Sequence, residues 1–451
     1  MSFLSSISGC VFPAVPSPYA AIIANLMPQL LASERMAPEQ LRKLQYAQLH
    51  ALLTHAFERS EFWRQRLTGI GWSPREGTGP QVLQRLPVLA RSDLQEHFEA
   101  LHARPLPAAF GKTGMTESSG ATGKSVRVMK CAVQSYLYDA ITLRDHLWHK
   151  RDFSRKIGVL KPNGNRPPRA DWGRPVAAMY RSGPTAFFDN LGPSIEEQLD
   201  WLVREQPDYL VAGANRLLML AELAKKRDPK VRSLQGIMTY GGVVTPLLRD
   251  LVQSVFGTQI ADWYSSEETG YIASQCPNNN HYHLQAETVI IELVDEDDVP
   301  VADGQMGRVL VTVLHSFAMP LIRYQIGDLA IAGRACDCGR TLPVLARIIG
   351  RELLVLRLPD GRSKQIILLA REFSKFAPIK EFRVVMYSDQ VVDVFVVCEQ
   401  PIGETPANSI IRMVQTELGY PFPTRLKQVS QIDWGRSWKR EPFTRVSTPS
   451  A

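Results

Sequence analysis

Between residues 156 and 330, short apolar runs alternate with segments whose apolar residues recur at helical spacing. The short runs, at 157–160, 209–211 and 236–238, have the length and composition of buried strands. Helical patterns lie between or after them, near 194–205, 215–226 and 246–256. Because parallel strands need a crossover, commonly a helix, this alternation predicts an α/β fold.

A second, smaller domain is expected because 451 residues exceed the length at which one hydrophobic core usually stops growing. In the last hundred residues, two β-branched runs at 383–386 and 391–397 flank Ser388-Asp389-Gln390 and predict a hairpin. A helical pattern follows near 408–418. We therefore predict a large α/β domain over residues 1–350 and a small α+β domain over 351–451.

The distribution of charges and the length of the apolar runs argue against a nucleic acid and a membrane as partners. The net charge is +7, but Lys and Arg are scattered, and their densest stretch, 150–155, is interrupted by Asp152. Nucleic-acid binding would group them on one face or in one run, whereas an enzyme with a small anionic substrate needs no such grouping. No stretch approaches the ~18 apolar residues of a membrane span. Neither a nucleic acid nor a membrane is expected as a partner.

The N-terminal stretch Ile7-Ser8-Gly9-Cys10 has the form of a lipoprotein cleavage box. Residues 1–9 contain no Lys or Arg, however, and serines interrupt their apolar residues, whereas a secretion signal needs a basic start and an apolar run. Six cysteines in so long a chain also do not indicate a disulfide scaffold. The sequence therefore predicts a cytoplasmic protein.

One loop carries the chemistry of phosphate binding. It reads Ser118-Ser119-Gly120-Ala121-Thr122-Gly123-Lys124. Glycines let backbone N–H groups approach phosphate oxygens, hydroxyls donate hydrogen bonds, and lysine supplies positive charge. The spacing differs from a Walker loop, because only Ala121 and Thr122 separate Gly120 from Gly123. A solvated surface turn remains the alternative.

That loop resembles the phosphate loop of the adenylate-forming superfamily, which contains the acyl-CoA synthetases and luciferases. Three later segments, 261–268, 320–328 and 349–351, resemble that superfamily's other motifs in the same order. Within it, the chain is most similar to the phenylacetate–CoA ligase and capsular-polysaccharide-type branch, over residues 40–445. The resemblance implies a large N-terminal domain of the adenylate-forming type and a small, mobile C-terminal domain.

The resemblance also implies roles for individual residues. Tyr264 would stack on adenine, and Asp328 would accept hydrogen bonds from the ribose hydroxyls. Glu268, with Glu267 as a competitor, would hold the Mg²⁺ that accompanies ATP. The other residues expected to bind ATP are Ser118, Ser119, Gly120, Thr122, Gly123, Lys124, Gly241, Gly242, Asp262 and Arg351.

The implied reaction is attack of a carboxylate on ATP, giving an acyl-adenylate and pyrophosphate, followed by transfer to coenzyme A. Lys439 is the expected catalytic cation from the small domain, because charge builds on phosphate oxygens. The chain departs from the family's motifs at Trp438, Ser265, Val243 and Leu353. An amine or a carrier-protein thiol therefore stays open as the acceptor, as does a non-catalytic nucleotide-binding homologue. By resemblance the acid is aromatic and a homodimer is an option.

Cys336-Asp337-Cys338 follows the ribose motif, and Cys276 and His283 precede it. Three thiolates and one imidazole form a tetrahedral set suited to structural Zn²⁺. The phenylacetate–CoA ligase group shows a similar arrangement, in which His283 matches the pattern better than His281. The alternative is three reduced thiols and a surface histidine.

Overall fold

The computed structural model describes residues 5–118, 125–162, 166–229, 231, 233–352, 355–366, 368, 370–433 and 442–446. Its α-helices are α1 Pro18–Ser33, α2 Pro38–Arg59, α3 Glu61–Gly69, α4 Pro80–Arg85, α5 Arg91–Glu96, α6 Phe98–Leu101, α7 Ala132–Trp148, α8 Arg174–Ala177, α9 Ile195–Glu205, α10 Ala214–Arg227, α11 Pro246–Phe256, α12 Ala370–Phe373 and α13 Glu404–Leu418.

Its strands are β1 Thr113–Ser118, β2 Val126–Cys131, β3 Ile157–Lys161, β4 Thr185–Asp189, β5 Tyr209–Gly213, β6 Gly236–Tyr240, β7 Ile260–Ser266, β8 Gly270–Gln275, β9 Tyr282–Leu284, β10 Val289–Val294, β11 Met306–Val313, β12 Tyr324–Ala332, β13 Val344–Arg351, β14 Val355–Arg357, β15 Ser363–Gln365, β16 Ile379–Met386, β17 Val392–Cys398, β18 Thr424–Gln428 and β19 Phe443–Arg445.

A mixed sheet of 11 strands dominates the fold, in the order β10-β11-β12-β13-β9-β8-β7-β6-β5-β3-β4. The part from β4 to β7 is parallel, with helices α9, α10 and α11 in its connections. From β7 to β8 and from β8 to β9 the pairing is antiparallel. The α/β prediction is therefore confirmed, and the three short apolar runs are β3, β5 and β6.

Both faces of the parallel strands are buried, because successive residues along a strand point to opposite sides. Leu210 and Ile237 pack on one face with residues of α9, α10 and α11. Their neighbours Tyr209 and Met238 pack on the other face with residues of α1 and α7. This two-sided burial explains why the strands read as continuous apolar runs rather than as alternating patterns.

The helices of this region begin and end where their sequences predict. Ser194 accepts a hydrogen bond from the Glu197 backbone N–H (3.1 Å), and Glu197 accepts one from the Ser194 backbone N–H (2.7 Å), which makes a capping box for α9. Helix α11 starts with Pro246 after the capping residue Thr245, and it stops at Gly257 with φ +65°. Local capping thus sets the lengths of the crossovers that place β6 beside β7.

The described residues divide into two compact units. The larger contains those of Met1–Glu117, Arg127–Ile326 and Ala330–Ile348. The smaller contains those of Ser118–Val126, Gly327–Leu329 and Ile349–Ala451. The predicted limits of 1–350 and 351–451 stay a prediction.

The smaller unit has its own sheet of four strands, in the order β18-β17-β16-β19. Strands β16 and β17 form the expected antiparallel hairpin, with Met386 paired to Val392 across the predicted turn. Helix α13 contributes Ile410, Val414 and Leu418 to a core with the sheet. Asp393 of β17 is buried and pairs with Arg425 at 2.7 Å and Lys427 at 2.6 Å.

Among the described residues, no helix combines the length and the apolarity that a membrane crossing requires.

Candidate active site

The carboxyl ends of β5, β6 and β7 form one edge of the parallel part of the sheet, where α/β folds commonly bind ligands. Gly241 and Gly242 follow β6 at this edge. Gly241 has φ +63°, and a Cβ on Gly242 would lie 3.1 Å from the Cβ of Ala214, the first residue of α10. The loop thus passes close to a helix N-terminus, which requires small residues here.

Asp262 lies in β7 and is buried. Its Oδ1 accepts a hydrogen bond from Thr239 of β6 at 2.5 Å, and its Oδ2 accepts one from Tyr282 of β9 at 2.8 Å. Burial raises the pKa of Asp262 to about 6, although both hydroxyl donors act to lower it. Since both oxygens accept hydrogen bonds within the protein, Asp262 as placed ties strands together beneath the edge. The predicted contact of Asp262 with ATP stays a prediction.

Tyr264 follows two residues later in β7 and is also buried, opposite Ala273 of β8. The register of this pair shifts between Tyr264 and Ser265. Such an irregularity re-aims side chains at the end of a strand. Ser265, which stands where the family usually has glycine, lies at this shift. The predicted stacking of Tyr264 on adenine stays a prediction.

A tight turn after β7 presents the two carboxylates that compete for the metal role. Ser266 closes this turn by accepting a hydrogen bond from the Thr269 backbone N–H at 3.1 Å. Glu267 is exposed, whereas Glu268 is buried and its Oε1 lies 3.3 Å from Arg91 Nη1. A carboxylate oxygen is the kind of ligand that Mg²⁺ prefers, and Arg91 places a positive charge beside this one. The geometry therefore favours Glu268, and its metal role stays a prediction.

A cavity of about 140 Å³ lies beside this turn. It is bounded by α7, by the residues that follow Glu268 and by the ends of β2 and β11. Polar and aromatic side chains that line it include Lys130, Tyr138, Arg174, Thr269, Tyr271 and His315. The sequence predicts the acid pocket against helices at 131–150 and 212–226, and the cavity lies against the first of these. It offers a bounded space next to the predicted nucleotide site.

Asp328 and Arg351 are close together within the smaller unit. Arg351 Nε lies 3.6 Å from Asp328 Oδ1. Gly327 before them has φ +82°, a conformation that glycine adopts without strain. The structure thus joins two residues that the sequence predicts to bind ribose or phosphate.

Several predicted residues lie outside the described part of the chain. Ser118, the first residue of the phosphate loop, is described and buried. Ser119, Gly120, Thr122, Gly123, Lys124 and Lys439 are not among the described residues, nor are Trp438 and Leu353. Their predicted roles stay predictions.

Three residues of this region are missing from the prediction, namely Arg91, Lys130 and His315. Arg91 is 177 positions from Glu268, and no local pattern links the two residues. Lys130 follows the phosphate loop closely, but in sequence a single lysine in a strand reads as a solvated residue. His315 follows β11 without any motif around it. The positions of all three depend on tertiary contacts.

The cysteine motif forms a compact donor cluster. The ligand atoms of Cys276, His281, His283 and Cys336 all lie within 4.8 Å of one another. Cys338 Sγ lies 3.3 Å from His283 Nε2. The structure thus groups three of the four predicted ligands with His281, which the sequence pattern sets aside, and Cys338 contacts this group at His283.

The distance between two sulfurs of this cluster fits a tetrahedral zinc ion. A Zn–S bond of about 2.3 Å implies that two thiolates of one tetrahedron are roughly 3.8 Å apart. Cys276 Sγ and Cys336 Sγ are 3.9 Å apart. Asn279 Nδ2 lies 3.6 Å from Cys336 Sγ, and Arg340 Nη1 lies 3.7 Å from Cys338 Sγ, so each of these sulfurs has an N–H donor beside it. Burial lowers the pKa of His283 to about 4, which keeps its imidazole neutral.

No protein-family model matches the chain. The phenylacetate–coenzyme A ligase of Thermus thermophilus is 27% identical over 341 residues, which cover 72% of this chain and 74% of that protein. That of Escherichia coli is 25% identical over 346 residues, with shares of 72% and 74%. A solved 2-hydroxyisobutyryl-CoA ligase, in its postadenylation state with R3-HIB-AMP, superimposes with a TM-score of 0.69 at 19% identity. This superposition covers 93% of this chain and 92% of the ligase.

The structural likeness shows that the chain has the fold of the adenylate-forming ligases, with a large mixed α/β part and a C-terminal domain. The sequence relatives named here are phenylacetate–coenzyme A ligases, a branch of the adenylate-forming superfamily, and the chain is similar to them over about three quarters of its length. The resemblance seen in the sequence motifs is confirmed.

Proposed function

We propose that this protein uses ATP to convert a carboxylic acid to an acyl-adenylate and then transfers the acyl group to coenzyme A. The observation that carries the proposal is the arrangement at one sheet edge. There Gly241-Gly242, Tyr264 and the turn with Glu268 follow adjacent strands, and a cavity lies beside that turn. This arrangement offers a close backbone approach, an aromatic ring, a carboxylate and a pocket for a small acid.

The reaction has two steps. An acid oxygen attacks the α-phosphorus of ATP, the bond from that phosphorus to the bridging oxygen breaks, and pyrophosphate leaves. The thiol sulfur of coenzyme A then attacks the acyl carbon, AMP leaves, and the thiol proton passes to solvent. Negative charge builds on phosphate oxygens in the first step, so the protein must supply cations. Lys439 and the phosphate-loop Lys124 are the proposed cations, and residues 351–451 are the proposed mobile domain that carries Lys439.

Two metal ions complete this proposal. Glu268 would hold Mg²⁺, which supplies positive charge next to the phosphates of ATP. Cys276, His283, Cys336 and Cys338 would hold a structural Zn²⁺, which ties together the loops around β9 and the segment before β13. A zinc–thiolate site with free cysteines also fits the reducing cytoplasm, where we propose that the protein acts.

One assay series tests the function. Exchange of labelled pyrophosphate into ATP is measured with a panel of carboxylic acids, and loss of the free thiol of coenzyme A is measured in parallel. We expect at least one acid to support both. Pyrophosphate exchange without loss of the coenzyme A thiol would indicate that the acyl acceptor is an amine or a carrier protein. ATP binding without exchange for any acid would instead support a non-catalytic nucleotide-binding homologue.

A further inference from the structure

The cavity beside the Glu268 turn holds a cation without an ion-pair partner. Lys130, the penultimate residue of β2, lines this cavity, and no carboxylate of the described residues lies within ion-pair distance of its Nζ. Burial lowers the pKa of Lys130, while the more distant charges of Glu267 and Glu268 act to raise it. An ammonium that lines a cavity without a direct ion-pair partner is available to an anionic group that enters the cavity.

The other cation at the cavity is already neutralised. Arg174 Nη2 lies 2.5 Å from Asp139 Oδ2, and the guanidinium stacks 5.0 Å from the centre of the Tyr19 ring. Arg174 is therefore engaged on the side of α7 and α1. Among the described residues that line the cavity, Lys130 is therefore the lysine or arginine that has no direct ion-pair partner.

A second polar group of the lining has no partner. Within the described part of the chain, the buried Nδ1 of His315 has no hydrogen-bond partner. Burial lowers the pKa of His315 to about 4, so the imidazole is neutral near pH 7 and can donate one hydrogen bond. A cation and a neutral donor in the lining of one cavity suit an oxygen anion better than an apolar group.

The size of the cavity bounds the rest of the ligand. It measures about 140 Å³. A cavity of about 150 Å³ accommodates benzene in a well-studied engineered protein. The space therefore fits one six-membered ring or a short chain, with a polar end.

We infer that the acid substrate carries a second anionic oxygen group, besides the carboxylate that reacts, and that Lys130 binds this group in the cavity. The substrate class is thus a small dicarboxylic acid or an acid with an equivalent oxygen anion, about one ring in size. The inference rests on the proposed function, because it assigns the specificity of the same site. Lys130 would be a specificity-determining residue, and His315 would add a hydrogen bond to the same group.

The test compares acids that differ only in the second carboxylate. The pairs are benzoate with benzene-1,3-dicarboxylate and pentanoate with pentanedioate, assayed by pyrophosphate exchange. We expect kcat/KM to be at least about 10-fold higher for the better diacid than for its monoacid, since the diacid adds a charge-assisted hydrogen bond to Lys130. In Lys130→Met the ratio should fall to about one, and Lys130→Arg should restore part of it.

Controls separate the possible failures. Lys225→Met removes an exposed lysine of α10 and should leave the diacid-to-monoacid ratio unchanged. If kcat/KM of the native protein is equal for monoacids and diacids, Lys130 does not bind a second anionic group. The same conclusion follows if Lys130→Met lowers kcat/KM for both kinds of acid by the same factor. If Lys130→Met no longer binds ATP, the milder Lys130→Gln replaces it in the same comparison. Absence of exchange with every acid would count against the proposed function instead.

Discussion

Arg91 Nη1 lies 3.3 Å from Glu268 Oε1 in the larger unit. The Glu268 side chain is 8% exposed, so its charge is largely removed from water. Burial of an unpaired carboxylate raises its pKa or destabilises the folded state. Arg91, the first residue of α5, therefore offsets part of the cost of burying Glu268 at the place where the motif predicts an Mg²⁺ ligand.

This arrangement predicts different effects for two adjacent substitutions. Glu268→Gln should lower the rate of pyrophosphate exchange by ~100-fold or more. The variant lacks the carboxylate proposed to hold Mg²⁺, so less positive charge stabilises the reacting phosphates. Glu267→Gln, the exposed neighbour, should change the rate by less than about 3-fold, as surface substitutions usually have small effects. Exchange rates are measured at saturating ATP over a series of Mg²⁺ concentrations. If Glu267→Gln lowers the rate strongly and Glu268→Gln does not, Glu267 is the metal ligand.

Asp262 predicts a pH dependence of stability. Its pKa is about 6 in the folded protein, above the value of about 3.9 in an unfolded chain. Between these two values the folded state binds more protons, so the free energy of unfolding should fall as pH rises from about 4 to about 6. The loss approaches ~3 kcal/mol and changes little above pH 6, since the carboxylate is then ionised in both states.

The measurement is urea unfolding of the native protein and Asp262→Asn between pH 4 and 7. Asn lacks one acceptor oxygen and should cost a roughly constant ~1–2 kcal/mol, whereas the pH-dependent difference belongs to Asp262. Asp250→Asn, an exposed change on α11, serves as the control. A difference between native protein and Asp262→Asn that stays constant across this pH range would contradict the assignment.

The elements that were predictable from sequence are those with a strong local pattern. The strands β3, β5 and β6 are continuous apolar runs because they are buried on both faces, and β16 and β17 flank a polar turn. Helix α1 is not part of the prediction. Pro28 lies inside α1 and reads as a helix breaker, yet Ile23 and Met27 pack in a core with residues of α7. Tertiary packing outweighs the local penalty of the proline.

The site divides in a similar way. Glu268, Tyr264 and the cysteines belong to recognisable motifs, so the sequence predicts them. Arg91 and Lys130 interact with Glu268, which lies far along the chain from both. A single sequence contains no signal for interactions between such distant positions. His281 is a related case, because it lies two positions before His283 and the motif selects only one histidine.

The ligands of the proposed zinc site can be tested by substituting Cys338 and His281 separately. Cys338→Ser should lower bound zinc to well below one ion per chain, because Cys338 Sγ lies 3.3 Å from His283 Nε2 and thiolates are the stronger ligands. His281→Gln should retain zinc. Elemental analysis of freshly purified protein gives the stoichiometry, and the Tm with and without a chelator gives the structural role. Zinc loss in His281→Gln alone would make His281 the fourth ligand, and absence of zinc from the native protein would contradict the site.

Lys439 gives the last prediction, and it rests on the motif alone because this residue is outside the described part of the chain. Catalysis of attack on the α-phosphorus needs a cation at the reacting phosphate, so Lys439→Ala should lower pyrophosphate exchange by ~100-fold or more. ATP affinity, measured by calorimetry, should change little, because the effect arises in the transition state. Lys375→Ala, an exposed lysine of the same unit, is the matched control and should keep the native rate. Near-normal exchange in Lys439→Ala would assign the catalytic cation to another residue, and Arg440 beside it is the next to substitute.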